Sequence, residues 1–186
     1  MWIARWSIIT SMAVAAGAAP ALAETSILDG TVWAEVAKVS ACNVDPLLLY
    51  SVALAESRSA AGRGFIRPHP FALRTEPSGS TYPANQSEAT GLLLKYIEED
   101  RLTDIGAMQI NYRWNGHRVA NPADLLDLKT NITVGAQILC EAISANPGDI
   151  RLAIGGYHTR NPERETDAIS YGETVLYIWK RLREGL

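Results

Sequence analysis

From position 26 onward the chain repeats one pattern, in which apolar residues recur every three or four positions between short polar or proline-bearing breaks. Ile27, Val32, Trp33, Val36, Ala37 and Val39 predict a helix over residues 26–40, which Asn43 and Asp45 interrupt. Asp45 suits an N-cap, and Pro46 suits the first helical position, where a missing N–H costs nothing. Leu47, Leu48, Leu49, Val52 and Ala53 carry this second helix to about Arg58. Residues 62–86 break the periodicity with Pro68, Pro70, Pro77, Pro83 and Gly79, which predicts a turn-rich excursion with a hairpin around Pro77-Ser78-Gly79. Ser87 and Glu88 open a helix carrying Ala89, Leu92, Leu93, Tyr96 and Ile97, and residues 103–111 follow as a short apolar loop or strand.

The second half reads more simply. A short helix is expected over residues 123–128, and a longer one over 131–145 with Ile132, Ala136, Leu139 and Ile143 on one face. Pro147-Gly148 stops it. Asp149 then begins a helix on which Ile150, Ala153, Ile154 and Tyr157 share a stripe, and a final helix spans about 166–183 with Ile169, Leu176, Trp179 and Leu182 inward. Lys180, Arg181 and Arg183 at its end suit the helix dipole. The expectation is one mainly α domain with a small loop or hairpin insertion.

A different pattern precedes position 24. Arg5 lies in a short n-region, residues 8–22 are apolar and small, and Ala21-Leu22-Ala23 fits a small-x-small cleavage site. These features predict a signal peptide over residues 1–23, cleaved after Ala23, and a single exported domain over 24–186 in the periplasm. An uncleaved anchor is the alternative, although the run is short and Ala-rich for a membrane span. No Cys near the cleavage point suggests a lipoprotein. The mature chain is expected to be a monomer with no stable membrane span.

At 186 residues, with 47% hydrophobic and 20% charged positions, the chain fits one globular domain. Its net charge of -3 gives no basic footprint for a nucleic acid. In an oxidising compartment Cys42 and Cys140 suggest a disulfide, with two separate buried thiols as the alternative. His69, His117 and His158 have no ligand-like spacing, so neither a metal nor another cofactor is expected.

The informative polar residue is Glu56, four after Val52 and seven after Leu49, and therefore on the apolar stripe of its helix. A carboxyl group there loses water, which favours its protonated form and suits it to donate a proton near neutrality. A snorkelling Glu, or one paired with Arg58, is the plainer alternative. In Gly106-Ala107-Met108-Gln109-Ile110-Asn111 the two amides alternate with apolar residues, and amides both donate to and accept from sugar hydroxyls and N-acetyl groups. An ordinary edge strand would read the same way. Tyr157 ends an otherwise apolar stripe, where a core Tyr is the commoner outcome.

Taken in order, these segments resemble the soluble lytic transglycosylase family. Leu54-Ala55-Glu56-Ser57 looks like its catalytic Glu-Ser motif, and Gly106-Ala107-Met108-Gln109 looks like its Gly-x-Met-Gln loop. Residues 131–139 resemble the helix that follows, and residues 153–158 resemble the segment carrying its Tyr-Asn pair, with His158 where the family has Asn. The match covers about residues 43–65 and 103–180. The stretch between resembles the insertion of members that accompany conjugation, type IV secretion or pilus systems, here residues 66–103.

The resemblance implies a lysozyme-like helical fold, of the goose-type kind, with a cleft for peptidoglycan glycan strands. It implies cleavage of the MurNAc-β-1,4-GlcNAc bond with formation of a 1,6-anhydroMurNAc end, and local wall remodelling for a secretion or conjugation apparatus as the biological role. Glu56 would be the catalytic carboxyl, with Ser57, Met108, Gln109, Asn111 and Tyr157 as substrate-binding residues. Two other readings stand beside it. A goose-type-like muramidase would hydrolyse the same bond and need a second acid, for which Asp104 is placed best. A non-catalytic glycan-binding assembly protein would keep the fold and leave Glu56 idle.

Overall fold

Asp45 accepts a hydrogen bond from the Leu47 N–H at 2.8 Å, and with Pro46 it starts the helix that carries Glu56. The computed structural model describes residues 26–62 and 64–185, so the expected signal peptide lies outside the described residues. Within them seven α-helices enclose two small antiparallel sheets: α1 (Val32–Val39), α2 (Pro46–Ser57), α3 (Gln86–Glu99), α4 (Tyr112–Asn115), α5 (Leu128–Ala145), α6 (Ile150–Gly155) and α7 (Glu165–Arg183). The mainly α expectation agrees with this. No helix among the described residues is long and apolar enough to cross a membrane.

α5 is central. Ile132, Val134, Ala136, Ile138, Leu139 and Ala142 are all buried, so it is wrapped by apolar neighbours on more sides than one amphipathic stripe would require. It starts at Leu128, earlier than its periodicity suggests, because Asp127 caps it by accepting from the Thr130 N–H at 2.8 Å. The disulfide Cys42–Cys140 forms, joining the loop after α1 to this helix across 98 residues. Loop-closure entropy assigns such a tether roughly 4–5 kcal/mol.

The excursion expected as an insertion is woven into the domain. Strand β1 (Arg58–Ala60) continues from α2 and pairs with β2 (Ile66–Pro68). The predicted hairpin at Pro77-Ser78-Gly79 forms between β3 (Leu73–Thr75) and β4 (Gly79–Thr81). β3 then pairs with β5 (Asp104–Ile105), which pairs with β6 (Ile110–Asn111), giving the order β4-β3-β5-β6. Residues 66–103 therefore supply two of the four strands next to the Gly106–Asn111 turn.

Several expectations need correction. Residues 26–30 form turns, because Asp29 accepts from the Ser26 N–H and Gly30 adopts φ +74°, and α1 begins only after Thr31. α3 starts at Gln86, capped by Asn85 rather than by Ser87. α6 ends at Gly155, so Ile150 is exposed at its start and Tyr157 lies in the following turn. On α7 the strictly buried row is Ala168, Gly172 and Val175, while Ile169, Leu176, Trp179 and Leu182 are only half-buried. The reason is close backbone packing of α6 on α7. A Cβ on Gly172 would meet the Arg151 carbonyl oxygen at 2.0 Å, and one on Gly155 would meet that of Ala168 at 2.1 Å. Small residues make that contact, and the larger apolar residues flank it.

Candidate active site

Glu56 occupies the last turn of α2, above the fully buried Leu49 and Val52, with its carboxyl edge on a cleft of about 260 Å³. Gln109, Asn111 and Tyr157 line the same cleft, together with Arg74, Asp104, Trp114 and His158. Four of the residues expected at the site are thus brought together from α2, the β5–β6 turn and the turn after α6.

The Glu56 side chain is held from α7. The Tyr171 hydroxyl donates to Glu56 Oε1 at 2.5 Å, and His158 stacks on the Tyr171 ring at 5.0 Å with the planes 9° apart. Burial pushes the Glu56 carboxyl up to about 7, and the Asp104 charge pushes the same way. The Tyr171 hydrogen bond and Arg74 oppose them without winning. Glu56 therefore holds its proton to near-neutral pH, the property wanted in a general acid. Burial and the Glu56 charge hold the Tyr171 hydroxyl well above its ordinary range, so it remains a donor.

The β5–β6 turn presents the amides. Gly106 adopts φ +79°, and a Cβ there would meet the Asn131 Nδ2 at 2.3 Å. Gln109 sits at φ +47°, a left-handed conformation that a residue with a side chain adopts at a cost. Its Nε2 donates to the Ala72 and Gly106 carbonyls at 3.1 and 3.0 Å, which leaves Oε1 as the group it offers a ligand. Asn111 donates through Nδ2 to Asp104 at 2.8 Å, while its buried Oδ1 has no partner among the described residues. Tyr157 donates to the Met108 carbonyl at 2.7 Å, so it is tied to the same turn.

Ser57 and Met108 are corrections. Ser57 is 2% exposed and lies behind the cleft, where its hydroxyl donates to the Ala107 carbonyl at 2.6 Å and accepts from the His69 N–H at 3.2 Å. One residue further along a helix turns a side chain by about 100°, so the neighbour of a cleft residue faces the interior. Met108 is fully buried, with its side chain against Gly135 of α5. Both shape the site from behind. Ser57→Ala is accordingly expected to lower stability by about 1–2 kcal/mol, because the buried Ala107 carbonyl loses this donor while the His69 N–H keeps the Ser57 carbonyl at 3.0 Å. Activity per folded molecule should stay near that of the parent; thermal melting beside a glycan-cleavage assay checks both.

Sequence reasoning missed Tyr171, Arg74 and Trp114. Tyr171 precedes Gly172, so a small-residue row read as the α7 contact would have put it at the interface. Arg74 belongs to β3 and reaches Asp104 at 3.8 Å. Trp114 lies in α4, for which the periodicity gave no sign. No group of three or more His, Cys, Asp or Glu side chains that could hold a metal ion occurs among the described residues. Compared with protein-family models, curated proteins and solved structures, the chain matches none.

Proposed function

We propose that this protein is an exported peptidoglycan lytic transglycosylase with a lysozyme-like helical fold and Glu56 as its single catalytic carboxyl. The observation that carries the reading is the near-neutral Glu56 carboxyl, gripped by Tyr171 on a cleft shared with Gln109, Asn111 and Tyr157. In the first step Glu56 gives its proton to the glycosidic oxygen as the bond to the muramoyl C1 breaks. In the second, the Glu56 carboxylate takes the proton of the muramoyl C6 hydroxyl while O6 bonds to C1. The product is a 1,6-anhydro ring, and no water is consumed. Gln109 Oε1 accepts from the sugars' hydroxyl or amide groups. Export to the periplasm rests on the leader pattern of residues 1–23, and a role in opening the wall for a secretion or conjugation apparatus rests on the resemblance of residues 66–103.

One observation favours a second reading. Asp104 lies on the same cleft, and burial holds its carboxyl above the usual range despite Asn111 and Arg74. A hydrolase would use it as the second carboxylate that activates water. In the transglycosylase reading its role is electrostatic, since its charge helps keep Glu56 protonated. Analysis of the digestion products separates them. Anhydromuramoyl ends that persist in Asp104→Asn support the first reading; reducing ends that vanish in that variant support the second.

The pH profile is a further test. Cleavage needs protonated Glu56, so activity should fall as pH rises through about 7. The hydrogen bond from Tyr171 favours the ionised carboxylate, so Tyr171→Phe removes it and should move that alkaline limb to higher pH, with a lower maximal rate. Asp104→Asn should move the limb to lower pH. Unchanged limbs in both variants would mean that another group sets the profile.

A further inference from the structure

Beyond Tyr157 and His158 the cleft does not end. A second hollow of about 590 Å³ continues from it, sharing Asn111, Trp114, Asn115, Ile138, Tyr157 and His158 with the first. The charge differs between the two. Around the protonated Glu56, Asp104 stands against Arg74 and the charges balance, whereas the extension carries Arg118, Arg160 and Arg164 against Glu141 alone. This wall is cationic in a chain whose net charge is -3, so it is not a reflection of overall composition.

The three guanidinium groups are not equally free. Arg118 is committed, since it meets both Glu141 oxygens at 2.8 and 2.9 Å and the Asn115 Oδ1 at 3.2 Å. Arg160 is anchored by its Nε and Nη2 to the Gly156 and Ile138 carbonyls and to Glu141, and its Nη1 has no partner among the described residues. Arg164 reaches Asp167 through Nε at 2.9 Å, leaving both terminal nitrogens without partners there. Arg160 is thus held in place by backbone acceptors while keeping Nη1 to spare, and Arg164 adds a fork of two terminal nitrogens on the same wall. Guanidinium donors of this kind are suited to carboxylates. Trp114, 66% exposed, stands where the two hollows join and offers a flat apolar face beside them.

We propose that this extension is a subsite for a carboxylate-bearing peptide branch of the substrate, bound by Arg160 and Arg164, so that strands whose stems keep their carboxylates are preferred over strands whose stems are uncharged. The inference rests on the peptidoglycan reading, in which the muramoyl unit bears such a stem. The neutral sugar chain occupies the end lined by Glu56, and the acidic branch leaves over Trp114 toward the arginines.

The test compares two polymers, intact peptidoglycan strands and the same strands with their stem carboxylates converted to carboxamides. The full chain is expected to cleave the intact strands with kcat/KM about tenfold higher at low salt, on the order of one partly exposed charge-assisted contact. That advantage should shrink as salt is raised. Arg164→Ala, which among the described residues gives up one bond to the exposed Asp167, should lose part of the preference, and the Arg160→Ala/Arg164→Ala pair should lose all of it. Cleavage of the amidated strands should stay the same in every variant, which also reports that the pair folds. Equal cleavage of both polymers by the parent, or a preference that survives the double variant, overturns the subsite while leaving a Glu56-dependent activity standing. Failure of the parent to cleave either polymer removes the functional reading and the subsite with it.

Discussion

Replacing Glu56 by Gln is expected to reduce peptidoglycan cleavage by about 10³-fold and to make the protein more stable at pH 8. The rate loss follows from the two proton transfers assigned to one group, each of the kind for which a positioned acid or base contributes roughly 10²–10⁴-fold. The gain in stability follows from linkage. The folded carboxyl titrates at about 7 and the free one at 4.5, so the unfolded chain ionises first as pH rises. Below about pH 4.5 both states are protonated and the burial has no such cost; above it the fold loses stability progressively, by up to about 3 kcal/mol once pH passes 7. Gln carries no charge to desolvate, and its Oε1 can still accept from Tyr171. The variant should therefore melt several degrees higher at pH 8 and close to the parent at pH 4.5. Thermal unfolding at the two pH values, beside a glycan-release assay, reads both effects. Parent-like digestion by the variant removes Glu56 from the chemistry, and a melting difference that ignores pH removes burial as the source of its shifted titration.

The largest structural effect is expected at Asn131, which is fully buried at the start of α5. Its Oδ1 accepts from the Met108 N–H at 2.8 Å, and its Nδ2 donates to the Ile105 and Leu125 carbonyls, each at 2.9 Å. One side chain thereby satisfies three buried backbone groups around the β5–β6 turn. Asn131→Ala takes a partner from all three, and about 2–4 kcal/mol of stability should go with it. That is a large share of the 5–15 kcal/mol typical of a domain. The same turn carries Gln109 and, through the Met108 carbonyl, holds Tyr157, so activity per folded molecule should fall as well. Denaturant unfolding gives the first number and cleavage at matched folded concentration the second. A loss below about 1 kcal/mol would show that other groups or water take over these bonds.

The helices could be read from the chain because their apolar spacing reflects one core, and Asp45 and Asp149 announced their starts through their own capping chemistry. Glu56 stood out for the same reason in reverse, as a carboxyl on an apolar stripe. What stayed hidden depends on contacts between distant segments. Ser57 and Met108 are the right residue types in the right motifs, but only the packing of the β5–β6 turn on α2 and α5 decides that they face inward. Tyr171 reaches Glu56 across 115 residues, and nothing in its neighbours' periodicity says so. The 66–103 excursion looked detachable because its prolines and turns have no helical rhythm. In the fold its Ala72 carbonyl accepts from both the Gly106 N–H and the Gln109 side chain, and it buttresses the turn beside the cleft.

Where α6 meets α7, Gly155 and Gly172 let two backbones touch with no side chain between them. A joint of that kind has no compressible filling, so neither helix can roll or slide against the other without collision. The pair acts as a single strut, with Tyr157 just beyond one helix and Tyr171 on the other, and their separation is fixed before any ligand arrives. Any yielding that a long polymer demands on entry is therefore expected from the opposite bank, where the strands are only two or three residues long.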